Sequence, residues 1–192
     1  ELISNAADAC DRLRYEAIQD ADLLGDDPKF RIHVFFDTDK RTLHIFDNGI
    51  GMDKNELAEN LGTIAQSGTA KIMEQIKTGK KSDDALNLIG QFGVGFYASF
   101  MVADHVEVIS RKAGSDTSHV WSSDGQAGYS VDKASNDQAA QIPSNRGTLI
   151  TLHLNDDASD FLVEEKLRQV ITHYSDHIDI PIYLCEADLK DG

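Results

Sequence analysis

The chain has 192 residues, 41% of them hydrophobic and 27% charged, with a formal net charge of −15 at pH 7. A chain this long buries about 70% of its unfolded surface, so one ordinary domain with a real core is expected without covalent staples. The acidic balance excludes a non-specific grip on a nucleic-acid backbone, and the lack of any apolar run of about 18 residues excludes a membrane-spanning helix.

The pattern opens on an amphipathic helix. Glu1, Asn5, Asp8 and Arg12 fall within roughly a 60° arc of one face, at about 100° of turn per residue. The opposite face carries Leu2, Ala6, Ala9, Leu13 and Ala17, small enough to pack closely on a sheet. Taken alone, the polar arc fits a solvated surface. Leu24-Gly25-Asp26-Asp27-Pro28 reads as a loop. Two strands follow, Arg31 to Phe36 and Thr42 to Phe46, joined by the polar turn Asp37-Thr38-Asp39-Lys40. Asp53 caps a short helix, with Glu56 completing a capping box and Leu57 and Leu61 inside it, and the helix stops at Gly62.

From Gly62 to Gly95 glycines recur around one helical stretch and a charged run, Lys77 to Asp84. The segment fits a hinged functional excursion or a plain surface loop equally well. Phe96 to Ala103 is expected to be a buried helix. Strands are expected at Val106 to Arg111, Ser118 to Ser122, Tyr129 to Val131 and Thr148 to Leu154, and a final helix at Phe161 to Tyr174. The order implies an α+β fold: a mixed, mostly antiparallel sheet with helices on one face.

Two loops carry chemistry. Asp47-Asn48-Gly49-Ile50-Gly51 places a carboxylate at a strand end beside glycines that let the backbone approach a ligand, though an Asn-Gly turn reads the same way. Gly90-Gln91-Phe92-Gly93-Val94-Gly95-Phe96 precedes the expected helix and would free N–H groups for an anion, or merely make a tight helix start. It is neither a Walker A sequence nor a dinucleotide fingerprint. Thr148, at the start of its strand, has a hydroxyl within reach of a ligand, and Thr is also a common strand residue. His173 and His177 are four apart but lack the Glu of a zinc motif. Cys10 and Cys185 sit in no CxxC pattern and read as free thiols in a reducing compartment.

Taken together, Glu1 to Ala9, Asp47 to Met52, Asn60 to Thr69, Gly90 to Tyr97 and Gly147-Thr148 resemble, in order, the nucleotide-binding motifs of the gyrase, heat-shock-protein-90, histidine-kinase and MutL ATPase superfamily. The Leu61 to Thr69 run, the Gly90 to Tyr97 run and Tyr174-Ser175-Asp176-His177-Ile178 are similar to the heat-shock-protein-90 chaperone branch, and the Ile180-Pro181-Ile182 ending to its bacterial members.

The resemblance implies the Bergerat (GHKL-type) two-layer α+β sandwich, an ATPase activity that drives a chaperone cycle, and ATP/ADP with Mg²⁺ as ligands. It implies an ATP-binding domain at residues 1–186 lacking its first strand and the start of its first helix, a lid at about 62–95, and a linker beginning at 187–192. Asp47 would accept the adenine amino group, with Thr148 and Gly51 helping through water. Asn5 would hold Mg²⁺. Gly93, Val94, Gly95 and Phe96 would present N–H groups to the phosphates, and Met52, Leu61 and Phe96 would line the base and ribose pocket. Asp8, Asn60 and Gln66 would complete the ATP-binding set. Glu1 would be the general base.

Gln66 stands where the family usually has Lys, with Lys71 the nearest cation. The resemblance further implies client proteins as partners, a homodimer made through domains outside this chain, no nucleic acid, no membrane, and a bacterial-type cytoplasmic location. A MutL or topoisomerase-type ATPase is the alternative. The start inside a helix without Met reads as a fragment, expected to bind nucleotide but hydrolyse it poorly.

Overall fold

The computed structural model describes residues 1–62, 95–126 and 128–186. The expected lid between Gly62 and Gly95, with Gln66, Lys71, Gly93 and Val94, and the expected linker at 187–192, lie outside the described residues.

Seven strands are described: β1 (Ile32–Asp37), β2 (Thr42–Asp47), β3 (Ala103–Arg111), β4 (Ser118–Ser123), β5 (Ser130–Lys133), β6 (Gly147–Leu154) and β7 (Ile182–Glu186). They form one sheet in the order β5-β4-β3-β6-β2-β1-β7, antiparallel throughout except for the parallel β1–β7 pair. Because side chains alternate along a strand, Leu43 and Ile45 of β2, Ile150, Leu152 and Leu154 of β6, and Val106 and Val108 of β3 share one face. That face carries the main core, closed by α1 (Leu2–Glu16) and α4 (Glu164–Ser175). Cys10 of α1 and Trp121 of β4 are fully buried there, while Leu13 of α1 is fully buried in a third cluster with Ile50 and Ala113; burying a side chain of Leu or Phe size contributes about 1.5–3 kcal/mol. The second face holds a smaller cluster of Phe46, Ile109, Ile142 and Leu149 beside α3 (Asn136–Ala139).

Several elements differ from the expectation. The helix capped by Asp53 does have its capping box, but α2 covers only Lys54–Leu57 before a π-helical turn, Ala58–Gly62. The expected helix from Phe96 to Ala103 is a 3-10 helix, Gly95–Met101, and Ala103 already belongs to β3. The last helix starts at Glu164, because Val163 is extended (φ −117°, ψ 118°) and separates it from a 3-10 segment, Asp156–Leu162, that contains Phe161. Three elements were not expected, the first a short 3-10 helix, Ala21–Leu24, ahead of the expected loop. Strand β7 is an edge strand with one neighbour and a mostly exposed pattern, so it lacks apolar alternation. Helix α3 is only four residues long, though Ser135 and Gln138 do form a capping box.

Candidate nucleotide site

The apolar rows of three adjacent strands end together in polar residues. Asp47 of β2 pairs with Thr148 of β6, and Thr148 pairs with Ser110 of β3. The period of two that buries Ile45, Ile150 and Val108 therefore turns Asp47, Thr148 and Ser110 toward the same face. Helix α1 crosses this end, and a cavity of about 390 Å³ lies between them.

From α1 the cavity receives Glu1, Asn5, Asp8 and Arg12, the polar arc seen in the sequence. The sheet contributes Asp47 and Thr148 with Val108 and Ile150, and the segment after β2 contributes Gly51, Met52, Asn60 and Leu61. Phe96 closes one side, packed edge-on against Trp121 at 5.5 Å. Gly95 lies in the adjoining apolar hollow, and Glu1 borders both spaces. A Cβ on Gly95 would fall 2.0 Å from Glu1 Oε1, so a larger residue there would displace that carboxylate from where it lies.

Asp47 is 5% exposed, and the Gly49 N–H donates to its Oδ1 at 2.9 Å. Its Oδ2 has no hydrogen-bond partner among the described residues. Burial pushes the carboxyl up to about 7, against the pull of the Gly49 N–H. The same burial, with the Asp47 charge nearby, pushes the Cys10 thiol behind it up to about 12.

The backbone of the turn after Asp47 is clamped from behind. Asn48 is fully buried; its Oδ1 accepts from the Arg31 N–H at 2.9 Å, and its Nδ2 donates to Lys29 O at 2.8 Å and Asp27 Oδ2 at 3.1 Å. Asp27 also accepts from the Arg31 guanidinium at 2.7 Å and Ser144 Oγ at 3.0 Å, and the Arg31 bond leads the causes that hold its carboxyl down at about 2. The fully buried Arg146 donates to Leu24 O and Asp27 O, both at 2.6 Å. Gly51 ends the turn at φ +66°, with Arg111 O 2.0 Å from where a Cβ would sit.

At the far rim Lys112 Nζ bridges Glu56 at 2.9 Å and Asp53 at 3.2 Å, tying the start of α2 to the strand side.

Among the described residues the cavity wall thus holds three carboxylates, Glu1, Asp8 and Asp47, and one cation, Arg12. Among the described residues no group of three His, Cys, Asp or Glu could hold a metal by itself; the Asn5 amide is a hard oxygen donor in the cavity wall. His177 lies beyond the end of α4, away from the helical register of His173.

Ten of the residues singled out in the sequence line this one cavity: Glu1, Asn5, Asp8, Asp47, Gly51, Met52, Asn60, Leu61, Phe96 and Thr148. Sequence reasoning did not assign Arg12, Ile50, Val108 or Ile150 to the site, nor Ser110 just behind it. The helical spacing of Arg12 with Asn5 and Asp8 was the available signal. For the strand residues there was none, because their place depends on pairing between distant segments.

Residues 1–148 match the family described as histidine kinase-, DNA gyrase B- and HSP90-like ATPase. The chain is 51% identical to the chaperone protein HtpG of Rhodospirillum rubrum over 95% of its length, and 51% identical to that of Bordetella avium over 96%. It is 50% identical to the HtpG of Rhizobium meliloti over its whole length. The chain spans 28% to 31% of the length of these curated relatives.

Proposed function

Because the chain belongs to the histidine kinase-, DNA gyrase B- and HSP90-like ATPase family, we propose that it is the nucleotide-binding part of an ATP-driven chaperone of the HtpG kind. The observation that carries this reading is Asp47: a buried carboxylate whose second oxygen has no partner among the described residues, at the wall of a cavity with apolar sides. Such a group recognises a flat base that offers an amino hydrogen, and adenine does so.

In this reading Asp47 Oδ2 accepts the adenine amino group, and Thr148 and Gly51 reach the ring through water. Met52, Leu61 and Phe96 exclude water from the base and ribose. Asn5 offers its amide oxygen, and Asp8 and Asn60 complete the polar wall on the phosphate side. Gly93, Val94, Gly95 and Phe96 give N–H groups to the phosphates, and Gln66 takes the place of a cation. Mg²⁺ held by Asn5 and the phosphates would neutralise charge that three wall carboxylates otherwise repel. Glu1, held against Gly95, orients the attacking water and takes its proton.

Hydrolysis then times the capture and release of client proteins in the bacterial cytoplasm, with dimerisation made by parts of the protein outside this chain. Chaperone relatives at half identity favour this over a MutL or topoisomerase-type ATPase. The test is Glu1→Ala in the full-length protein. Turnover should fall by about a hundredfold or more while ADP affinity holds; unchanged turnover would remove Glu1 from the chemistry.

A further inference from the structure

We propose that His105 and His153 form a two-histidine site for a divalent cation of the Zn²⁺ class, which pins β3 to β6 at the end of the sheet away from the nucleotide cavity. The site is independent of the ATP reading.

On the second face of the sheet, Phe46, Ile109, Ile142 and Leu149 pack together at one end. Side chains alternate along a strand, so the same rows continue toward the other end as His44 of β2, Thr151 and His153 of β6, and Glu107 of β3. A register shift between Ala103 and His105 lets Ala103 and Val106 both join the main core and turns His105 outward, opposite His153. His153 is exposed and His105 half-buried.

Direct partners on neighbouring strands bring their Cβ atoms to about 5 Å. The two imidazole ring centres lie 5.3 Å apart, with their planes inclined by 56°. One tetrahedral ion asks for nearly that separation. With each nitrogen about 2.0–2.1 Å from the metal and each ring centre about 1.1 Å beyond its nitrogen, two imidazoles on one ion have centres about 5 Å apart. Neither ring has a hydrogen-bond partner among the described residues, so each neutral ring keeps a nitrogen lone pair for an ion. His44 differs: its two ring nitrogens are bonded to the hydroxyls of Thr42 at 2.8 Å and Thr151 at 3.0 Å.

Among the described residues no third His, Cys, Asp or Glu completes the set, so water takes the remaining positions. Glu107 adds a negative charge that acts on His153. Imidazole suits Zn²⁺, Cu²⁺ and Ni²⁺, whereas Mg²⁺ takes oxygen ligands, so this site does not compete for the ion a nucleotide carries. His153 is also about 16 Å along β6 from Thr148. An ion held here joins two strands that come from distant parts of the chain, and so binds the folded state in preference to the unfolded one.

The experiment is calorimetric titration of the 192-residue chain with zinc chloride at about pH 7.5, where free imidazole is neutral, without nucleotide. The proteins are wild type, His105→Ala, His153→Ala, the double variant and His173→Ala as control, each shown to be folded by circular dichroism. Cys185 is an exposed thiol and carboxylates line the cavity, so the readout is the difference between proteins and not the total uptake. One equivalent taken up by wild type and by His173→Ala should be lost, or weakened by about tenfold or more, in either single variant. The double variant should lose no more than a single one, because a chelate is broken by removing either ligand. Excess Mg²⁺ should not displace the ion. Equal uptake by wild type and His105→Ala, a loss confined to one of the two variants, or displacement by Mg²⁺ overturns the proposal. Imidazole resonances in nuclear magnetic resonance give a readout that needs no variant. Those of His105 and His153 should shift together as Zn²⁺ is added to wild type, and a shift of neither, or of one alone, overturns it.

Discussion

At the scale of single residues, burial does most of the chemistry. Asp47 is desolvated until it titrates at about 7, while the adenine amino group would bind its ionised form. Binding and ionisation are therefore linked. ADP affinity should be level at pH 8 and fall toward pH 5.5, by up to about tenfold per pH unit once below 7. Affinity that stays flat to pH 5.5 would mean that Asp47 is ionised in the empty pocket.

Stability carries the opposite sign. A carboxyl raised from 3.8 to about 7 in the folded state contributes stability that is complete below 3.8 and is lost as pH rises toward 7. His44, lowered by burial to about 4, works the other way across the same window. The clean readout is a difference: the Tm of wild type minus that of Asp47→Asn should fall as pH rises from 4 to 7. A constant difference would contradict the linkage.

The thiols give a second residue-scale prediction. Cys10 is buried with its thiol pushed up to about 12, whereas Cys185 is exposed. One equivalent of Ellman's reagent should react at pH 8 in the folded protein and the second only after unfolding; two fast equivalents would contradict the packing of Cys10.

At the scale of elements, local chemistry decides what forms and what is legible. Helix α1 was readable because its polar and apolar positions separate cleanly at helical spacing, and α2 because Asp53 and Glu56 announce a capping box. Strand β2 was readable from its alternation. The 3-10 helix Gly95–Met101 was not, since an apolar run that short fits several conformations. Strand β7 was missed because an edge strand with one exposed flank need not alternate.

The Asp53 cap allows two effects to be separated. Asp53 accepts from the N–H groups of Asn55 and Glu56 and also pairs with Lys112, but that ion pair is a third to two-fifths exposed and so contributes little. Asp53→Ala should cost about 1–2 kcal/mol, or about 3–6 °C in Tm, and Lys112→Ala clearly less. Equal losses in thermal unfolding would show that the ion pair, not the cap, secures α2.

At the scale of the whole molecule, the site is a product of sheet order. Asp47, Ser110 and Thr148 are far apart in the chain and become neighbours only because β6 lies between β2 and β3. The motif residues could be read from sequence because glycines, a strand-end carboxylate and a polar helix arc mark themselves. Ser110 could not, because it reads as an ordinary strand residue until its partner strand is known. The clamp of Asp27, Asn48 and Arg146 was hidden for the same reason, its members coming from three separate loops.

One measurement bears most directly on whether this cavity is an adenine-nucleotide site: calorimetric titration of the chain with Mg·ADP, beside Asp47→Asn. Saturable one-to-one binding by the wild type is expected, weaker by about tenfold or more in the variant while circular dichroism shows both folded. Asp47→Asn binding as tightly as the wild type, or a folded wild type that does not bind at all, would contradict it.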